Sequence, residues 1–325
     1  SLRGKGTQNA GGLSRQEDGL SYYAYLLRSR VGVNASPEEL TRLLTQQLAD
    51  QCAEMQIILD QNPSLSLSEQ ALVLPFSTPE EMLADLQNAV SEDFPVLSGI
   101  AYEVKTVDAS LKDFLSPAFY LTPPVDTGTP NVIYINPAAN YQGLELFTTL
   151  AHEGFPGHLY QTVSFAGNNP SDIRYLVTSS GYVEGWATYC ELFSYSYADT
   201  GNTLLNTLAQ ANYATILCLY AKCDLGINAL GWTESDVASY IADFGFTDKS
   251  VAHEMMQSMV SNPGNYCKYV LGWIGFSELK KEAQKQTGSA FSNLDFHKYI
   301  LDMGSVPFDM LFDRLEDWCS AQSAQ

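Results

Sequence analysis

Basic residues are scarce in this chain. It carries 17 Lys and Arg against 37 Asp and Glu over 325 residues, a formal net charge of −20. That excess makes nucleic acid and anionic membrane surfaces poor partners. No apolar run approaches the ~20 residues that cross a bilayer, so no transmembrane segment is expected here. No charged-then-apolar signal segment opens the chain. Its first residues, Ser1-Leu2-Arg3-Gly4-Lys5-Gly6, read as a loop, compatible with trimming from a longer precursor. The six Cys are scattered without a CxxC pair, which excludes a disulfide scaffold and leaves them as small buried hydrophobes. Internal repeats and long linkers are absent, which disfavours a solenoid. Histidine is the rarest functional residue, with four in all.

What is present points to a globular body. Apolar content is 45% and aromatic content 12%, and 325 residues can bury a large core as one large domain or two. Ser36-Pro37-Glu38-Glu39 is a capping box with Pro at the first helical position, opening a helix over 37–59. Its apolar residues Leu40, Leu43, Leu44, Leu48, Cys52, Met55 and Ile58 keep helical spacing. Thr78-Pro79-Glu80-Glu81 repeats the device and predicts a helix through Val90. Strands are expected over 100–107 and 132–136, with loop between them over 120–130. From Leu144 onward the pattern predicts helices over 144–155, 157–166, 172–199, 203–230, 234–243, 248–260, 264–286, 293–302 and 307–320. The expected fold is mainly α with a small β-sheet (α+β). It is expected to form one domain over 1–325, in which 1–143 holds helices and the sheet, and 144–325 the helical body.

Two of the four His fall six residues apart, in His152-Glu153-Gly154-Phe155-Pro156-Gly157-His158. A second helix follows with Glu184. Two imidazoles, a remote carboxylate and an adjacent carboxylate are the ligand and base set of a hydrolytic zinc site. His152, His158 and Glu184 are the candidate ligands of Zn2+, and Glu153 the base. The usual spacing, His-Glu-x-x-His, puts the imidazoles one turn apart on one face. Here six steps at ~100° each leave the second ring ~120° off that face. A regular helix would not bring them together, but Pro156-Gly157 predicts a break that restores convergence. Ring nitrogens more than ~8 Å apart could not share one ion. Glu191, seven residues past Glu184, shares its face and is a candidate to hold a ligand imidazole, or else a solvated carboxylate. His253-Glu254 has Gln257 at the next turn and reads as structural.

These segments resemble the large bacterial family catalogued as domain of unknown function 885. The resemblance rests on His152 to His158 with Gln161, on Glu184-Gly185-Trp186-Ala187-Thr188-Tyr189 with Glu191, on Asn262-Pro263-Gly264 leading to Tyr269 and Gly272, and on Asp295-Phe296-His297 with Gly304-Ser305-Val306-Pro307. It departs at Leu159, where members often carry a second His, and at Asn265, where Gln is usual. The family is similar to the gluzincin metallopeptidases of the thimet oligopeptidase and Taq carboxypeptidase type. That implies a gluzincin-like helical catalytic domain and a zinc-dependent peptidase acting on peptide substrates. Members are usually longer, so this chain reads as the C-terminal part, in an exported or lipid-anchored protein rather than a cytoplasmic one. On this reading Glu153 takes the proton of the attacking water. Tyr269 is the candidate donor to the oxyanion and His297 the second candidate, although either could be a packing residue. The strand over 132–136, with Tyr134, is expected to bind substrate backbone as an edge strand. Arg174 is a candidate carboxylate clamp. The alternatives are a non-peptidase metal-dependent hydrolase, a degenerate peptide-binding protein, or a purely structural helical module.

Overall fold

The computed structural model describes residues 11–68 and 72–323; the loop expected over 1–6 lies outside the described residues. The first helix, α1 (Gly19–Leu26), runs on through a wider turn at Leu27–Val31. Then comes α2 (Pro37–Gln61), where Ser36 Oγ accepts from the Glu39 amide and Glu39 Oε2 accepts from the Ser36 amide, closing the expected capping box. In α3 (Pro79–Ala89) the Thr78 hydroxyl caps the Glu81 amide, while the Glu81 carboxylate reaches past it to the Ser77 amide. Three strands follow, β1 (Tyr102–Thr106), β2 (Ala118–Leu121) and β3 (Asn131–Ile135).

The sheet differs from expectation in two ways. A strand, β2, occupies the start of the stretch read as loop. The spatial order is β1-β3-β2, with β3 parallel to β1 and antiparallel to β2. So β3 is the central strand, its backbone paired on both sides, and it cannot take up a substrate strand. The Tyr134 ring stacks on Phe119 of β2, with centroids 5.1 Å apart. The open edge on that side of the sheet is β2.

The rest is helical, as expected: α4 (Gly143–Glu153), α5 (His158–Gly167), α6 (Ile173–Leu176), α7 (Ser180–Ser194), α8 (Thr203–Asn228), α9 (Glu234–Ala242), α10 (Lys249–Ser261), α11 (Asn265–Thr287), α12 (Asn293–Met303) and α13 (Phe308–Ser323). The stretch expected as one helix over 172–199 is broken between α6 and α7, where the Ser179 amide donates to Ser305 Oγ at 2.8 Å. One continuous apolar core runs from Tyr23 to Cys319 and joins the segments on both sides of residue 143. A smaller cluster, including Cys223, Val237, Met255 and Met259, packs α9 and α10 onto α8. None of the six cysteines forms a disulfide.

The tightest crossing is that of α7 over α11. A Cβ on Gly185 would lie 2.3 Å from the Cα of Gly272, and one on Gly272 would lie 2.0 Å from the Gly181 carbonyl oxygen. Backbone meets backbone there, so neither helix can yield by turning a side chain. Gly272→Ala is expected to lower stability by about 1–3 kcal/mol or more, the cost of overpacking. Gly167→Ala, whose Cβ would meet nothing within 4 Å, is the control expected to stay near wild type. Urea unfolding of both variants checks this.

Candidate metal centre

Helix α4 ends at Glu153, and the chain turns through Gly154-Phe155-Pro156-Gly157 before α5 begins at His158. The turn depends on its glycines. A Cβ on Gly157 would fall 1.8 Å from the His152 carbonyl oxygen, and one on Gly154 would fall 2.5 Å from Leu83 Cδ2. The Gly157 amide donates to the Ala151 carbonyl at 2.9 Å, folding the connector against the end of α4. From above, the Trp186 indole of α7 donates to the Pro156 carbonyl at 2.9 Å. The ring of Phe155 is buried beneath, edge-on to Tyr102 of β1.

This break brings the two imidazoles together. Their ring centroids are 4.8 Å apart, and ligand atoms of His152, Glu153 and His158 all lie within 4.8 Å of one another. From α7, Glu184 Oε2 reaches both rings, 3.8 Å from His152 Nε2 and 3.3 Å from His158 Nε2. On its far side His152 Nδ1 meets Glu191 Oε2 at 2.9 Å. A carboxylate can only accept, so Nδ1 carries a proton toward Glu191, and Nε2 faces the Glu184 carboxylate.

The donor set suits a divalent ion. Two imidazole nitrogens and one carboxylate oxygen are the three protein ligands of a catalytic zinc. Ligand atoms at ~2.1 Å around a tetrahedral centre stand ~3.4 Å from each other, and the observed 3.3 and 3.8 Å bracket that value. The Glu191 bond to Nδ1 is of the kind that orients a metal-binding imidazole.

Two groups arrive from α11. The Lys268 ammonium bonds Glu184 Oε1 at 2.9 Å and lies 4.8 Å above the Tyr269 ring. It engages one carboxylate oxygen and leaves Oε2 to the imidazoles. Burial opposes charge on Glu184, yet the bonds to His152 and His158 and the Lys268 ammonium hold its carboxyl well below the usual range. Burial likewise opposes charge on His152, and the bonds to Glu184 and Glu191 more than reverse it, raising its pKa. The Tyr269 ring centroid is 6.3 Å from that of His152. Burial, then the carboxylates of Glu184, Glu153 and Glu191, push its phenol far up, so Tyr269 keeps its proton as a donor. Glu153 Oε2 accepts the Tyr120 backbone amide of β2 at 2.8 Å, tying this carboxylate to the sheet edge.

The structure thus gathers His152, Glu153, His158, Glu184, Glu191 and Tyr269. Sequence reasoning missed Lys268 and the Tyr120 amide. Lys268 stood beside Tyr269 as the only signal, and a backbone donor leaves none. Arg174 lies on α6, where its Nη2 donates to the carbonyls of Met303 at 2.8 Å and Ser305 at 3.4 Å. His253 forms a surface pair with Glu234, as its structural reading requires.

His297 is corrected. Its ring is 0% exposed and stacks on Phe94 with centroids 3.9 Å apart. Nδ1 donates to the Asp93 carbonyl and Nε2 accepts from the Tyr189 hydroxyl, so both nitrogens are engaged in the core and neither is left for a substrate.

Residues 3–315 match the family described as "Bacterial protein of unknown function (DUF885)". The chain belongs to that family. Its fold is similar to "the putative lipoprotein from Colwellia psychrerythraea", with a TM-score of 0.82 at 23% identity, covering 98% of this chain and 58% of that one. It is also similar to "a putative lipoprotein of unknown function from Shewanella oneidensis", with a TM-score of 0.77 at 17% identity, covering 97% of this chain and 62% of that one. This DUF885 chain therefore spans about three fifths of each of these relatives. None of the curated proteins matches it. Among the described residues no helix is long and apolar enough to cross a membrane.

The buried imidazole gives an acid response. Burial, together with the Lys280 charge, pulls the His297 pKa down to about 3, against the pull of Asp93. The unfolded chain, with a value of ~6.5, takes up the proton first as pH falls. The contribution of His297 is therefore full above pH ~6.5 and is lost toward pH 3, at about 1.4 kcal/mol per pH unit. Between pH 7 and pH 5 the urea unfolding free energy of His297→Gln is expected to fall less steeply than that of wild type.

Proposed function

We propose that this protein is a zinc-dependent peptidase with a site of the gluzincin kind. The convergence of His152, His158 and Glu184 with Glu153 beside them carries this reading. It is the donor set of a hydrolytic metal site with a free carboxylate at hand. Bound there, zinc would act as a Lewis acid on a peptide carbonyl and make water more acidic.

The chain's own residues do the rest. Glu153 takes the proton of the attacking water, and the water oxygen adds to the carbonyl carbon. The C–N bond breaks and Glu153 returns the proton to the leaving amine, so one water yields one carboxylate end and one amine end. The Tyr269 hydroxyl donates to the oxyanion while carbon is tetrahedral. Glu191 orients His152, and Lys268 holds Glu184 by one oxygen. The edge of β2, whose Tyr120 amide already faces Glu153, is the place for an extended substrate to pair by strand addition. The same reading puts the protein outside the cytoplasm, exported or lipid-anchored. The lipoprotein names of both similar structures favour this.

Metal content by mass spectrometry tests the site first. Wild type is expected to hold about one zinc per chain, and His152→Ala or Glu184→Ala to lose it. Glu191→Ala is expected to weaken zinc binding by about 10- to 100-fold. Glu153→Gln is expected to keep zinc and abolish turnover of a peptide library. Zinc-loaded wild type without turnover would remove the peptidase reading and leave a metal-binding protein.

A further inference from the structure

A cleft of about 510 Å³ opens beside the proposed centre, between α5, α6, the start of α7 and the loop that continues β2. Its walls come from elements that also carry the site, α5, α7 and the end of β2. Thr162, one helical turn past His158 on α5, lines it, as do Val183, next to Glu184, and Thr122, directly after β2. An extended chain paired to β2 past Glu153 would run on into this cleft.

The lining is mostly apolar, with Val163, Phe165 and Leu301 among its walls. Two polar groups stand in this lining. Arg174 lines the cleft half-buried. Its Nη2 donates to two backbone carbonyls and its guanidinium lies 5.8 Å from the Phe165 ring centroid, while among the described residues no carboxylate forms a salt bridge with it. Gln161, 8% exposed, also lines the cleft, and its Nε2 has no hydrogen-bond partner. A buried donor left unpaired in a folded protein calls for a partner. Gly304, at φ +64°, keeps room for the arrangement, since a Cβ there would lie 2.6 Å from Phe165 and 3.2 Å from Arg174 Nη2.

We infer that this cleft binds the C-terminal residue of a peptide, its apolar side chain against Val163, Phe165 and Leu301 and its free carboxylate on Arg174, with Gln161 as a second donor. This deepens the peptidase reading and rests on it: the substrates are peptides with a large apolar last residue, cleaved near that end. Arg174 is a specificity residue on this account and stands outside the reacting groups.

The test separates binding from turnover. N-acetyl-phenylalanine and its C-terminal amide are titrated by calorimetry into the zinc-loaded protein, wild type and Arg174→Met. Arg174→Lys is included to retain charge should the Met variant unfold. The free acid is expected to bind about 10- to 100-fold more tightly than the amide, as a charge-assisted pair implies. Arg174→Met should erase that difference and Arg174→Lys should keep part of it. Such a preference supports the assignment even in a protein that hydrolyses nothing. Equal binding of acid and amide, or binding of neither, overturns it. In that case cleavage of peptides with amidated ends would still leave the peptidase reading standing.

Discussion

The close crossing of α7 and α11 is the constraint on which the centre depends. Gly185 and Gly272 let the two backbones touch, and Gly181 extends the contact. Glu184 and Lys268 flank this seam on opposite helices and meet at 2.9 Å. A wider separation would carry Lys268 out of reach of Glu184 Oε1 and Tyr269 away from His152. The same helix, α7, also carries Trp186, which pins the Pro156 carbonyl, and Glu191, which holds His152. One rigid element therefore sets a ligand, the orientation of another ligand and the shape of the connector between the two imidazoles. Positioning of this kind, by helices packed backbone to backbone, is what a preorganised site requires.

Charge is the second constraint. Glu153, Glu184 and Glu191 converge in a part-buried space where the described cation nearest to them is Lys268. Three carboxylates so close need compensation, because burial penalises each ionised group. The raised pKa of His152 and the depressed pKa of Glu184 express the same demand: the site favours positive charge between its acids. A proton on the imidazole answers that demand weakly, and a divalent ion answers it more fully while leaving the carboxylates ionised. Arg174 is the counterpart, a cation kept free of acids in an otherwise apolar cleft.

Local chemistry made much of the fold legible. Ser36 with Glu39, and Thr78 before Glu81, announce helix starts through bonds spanning three residues, and α2 and α3 begin where those bonds require. The break between α4 and α5 was legible from Pro156-Gly157 for the same reason. Long-range pairing was not. The strand β2 exists because its backbone meets β3, and nothing in Ala118-Phe119-Tyr120-Leu121 alone separates it from loop. Placing β3 at the centre of the sheet likewise followed from topology. Lys268 touches Glu184 across 84 residues of chain. His297 misled because a polar residue in a recurrent motif invites a catalytic role. Its motif instead builds the core, with Phe94 stacked on the ring and Asp93 and Tyr189 taking both nitrogens.

The bond between the Tyr120 amide and Glu153 joins the two halves of the proposed chemistry. A general base must be held in place yet keep an oxygen free for water. Here a backbone donor fixes Oε2 from a strand that is itself held by β3, so the restraint costs no side-chain order. That amide also belongs to the open edge of the sheet. A peptide carbonyl pairing there competes with Glu153 for the same N–H, and its arrival would release Oε2 at the moment the base is needed. Substrate alignment and base activation would then be one event. The residues placing that donor, Ala118 to Leu121, would matter as much to turnover as the ligands themselves.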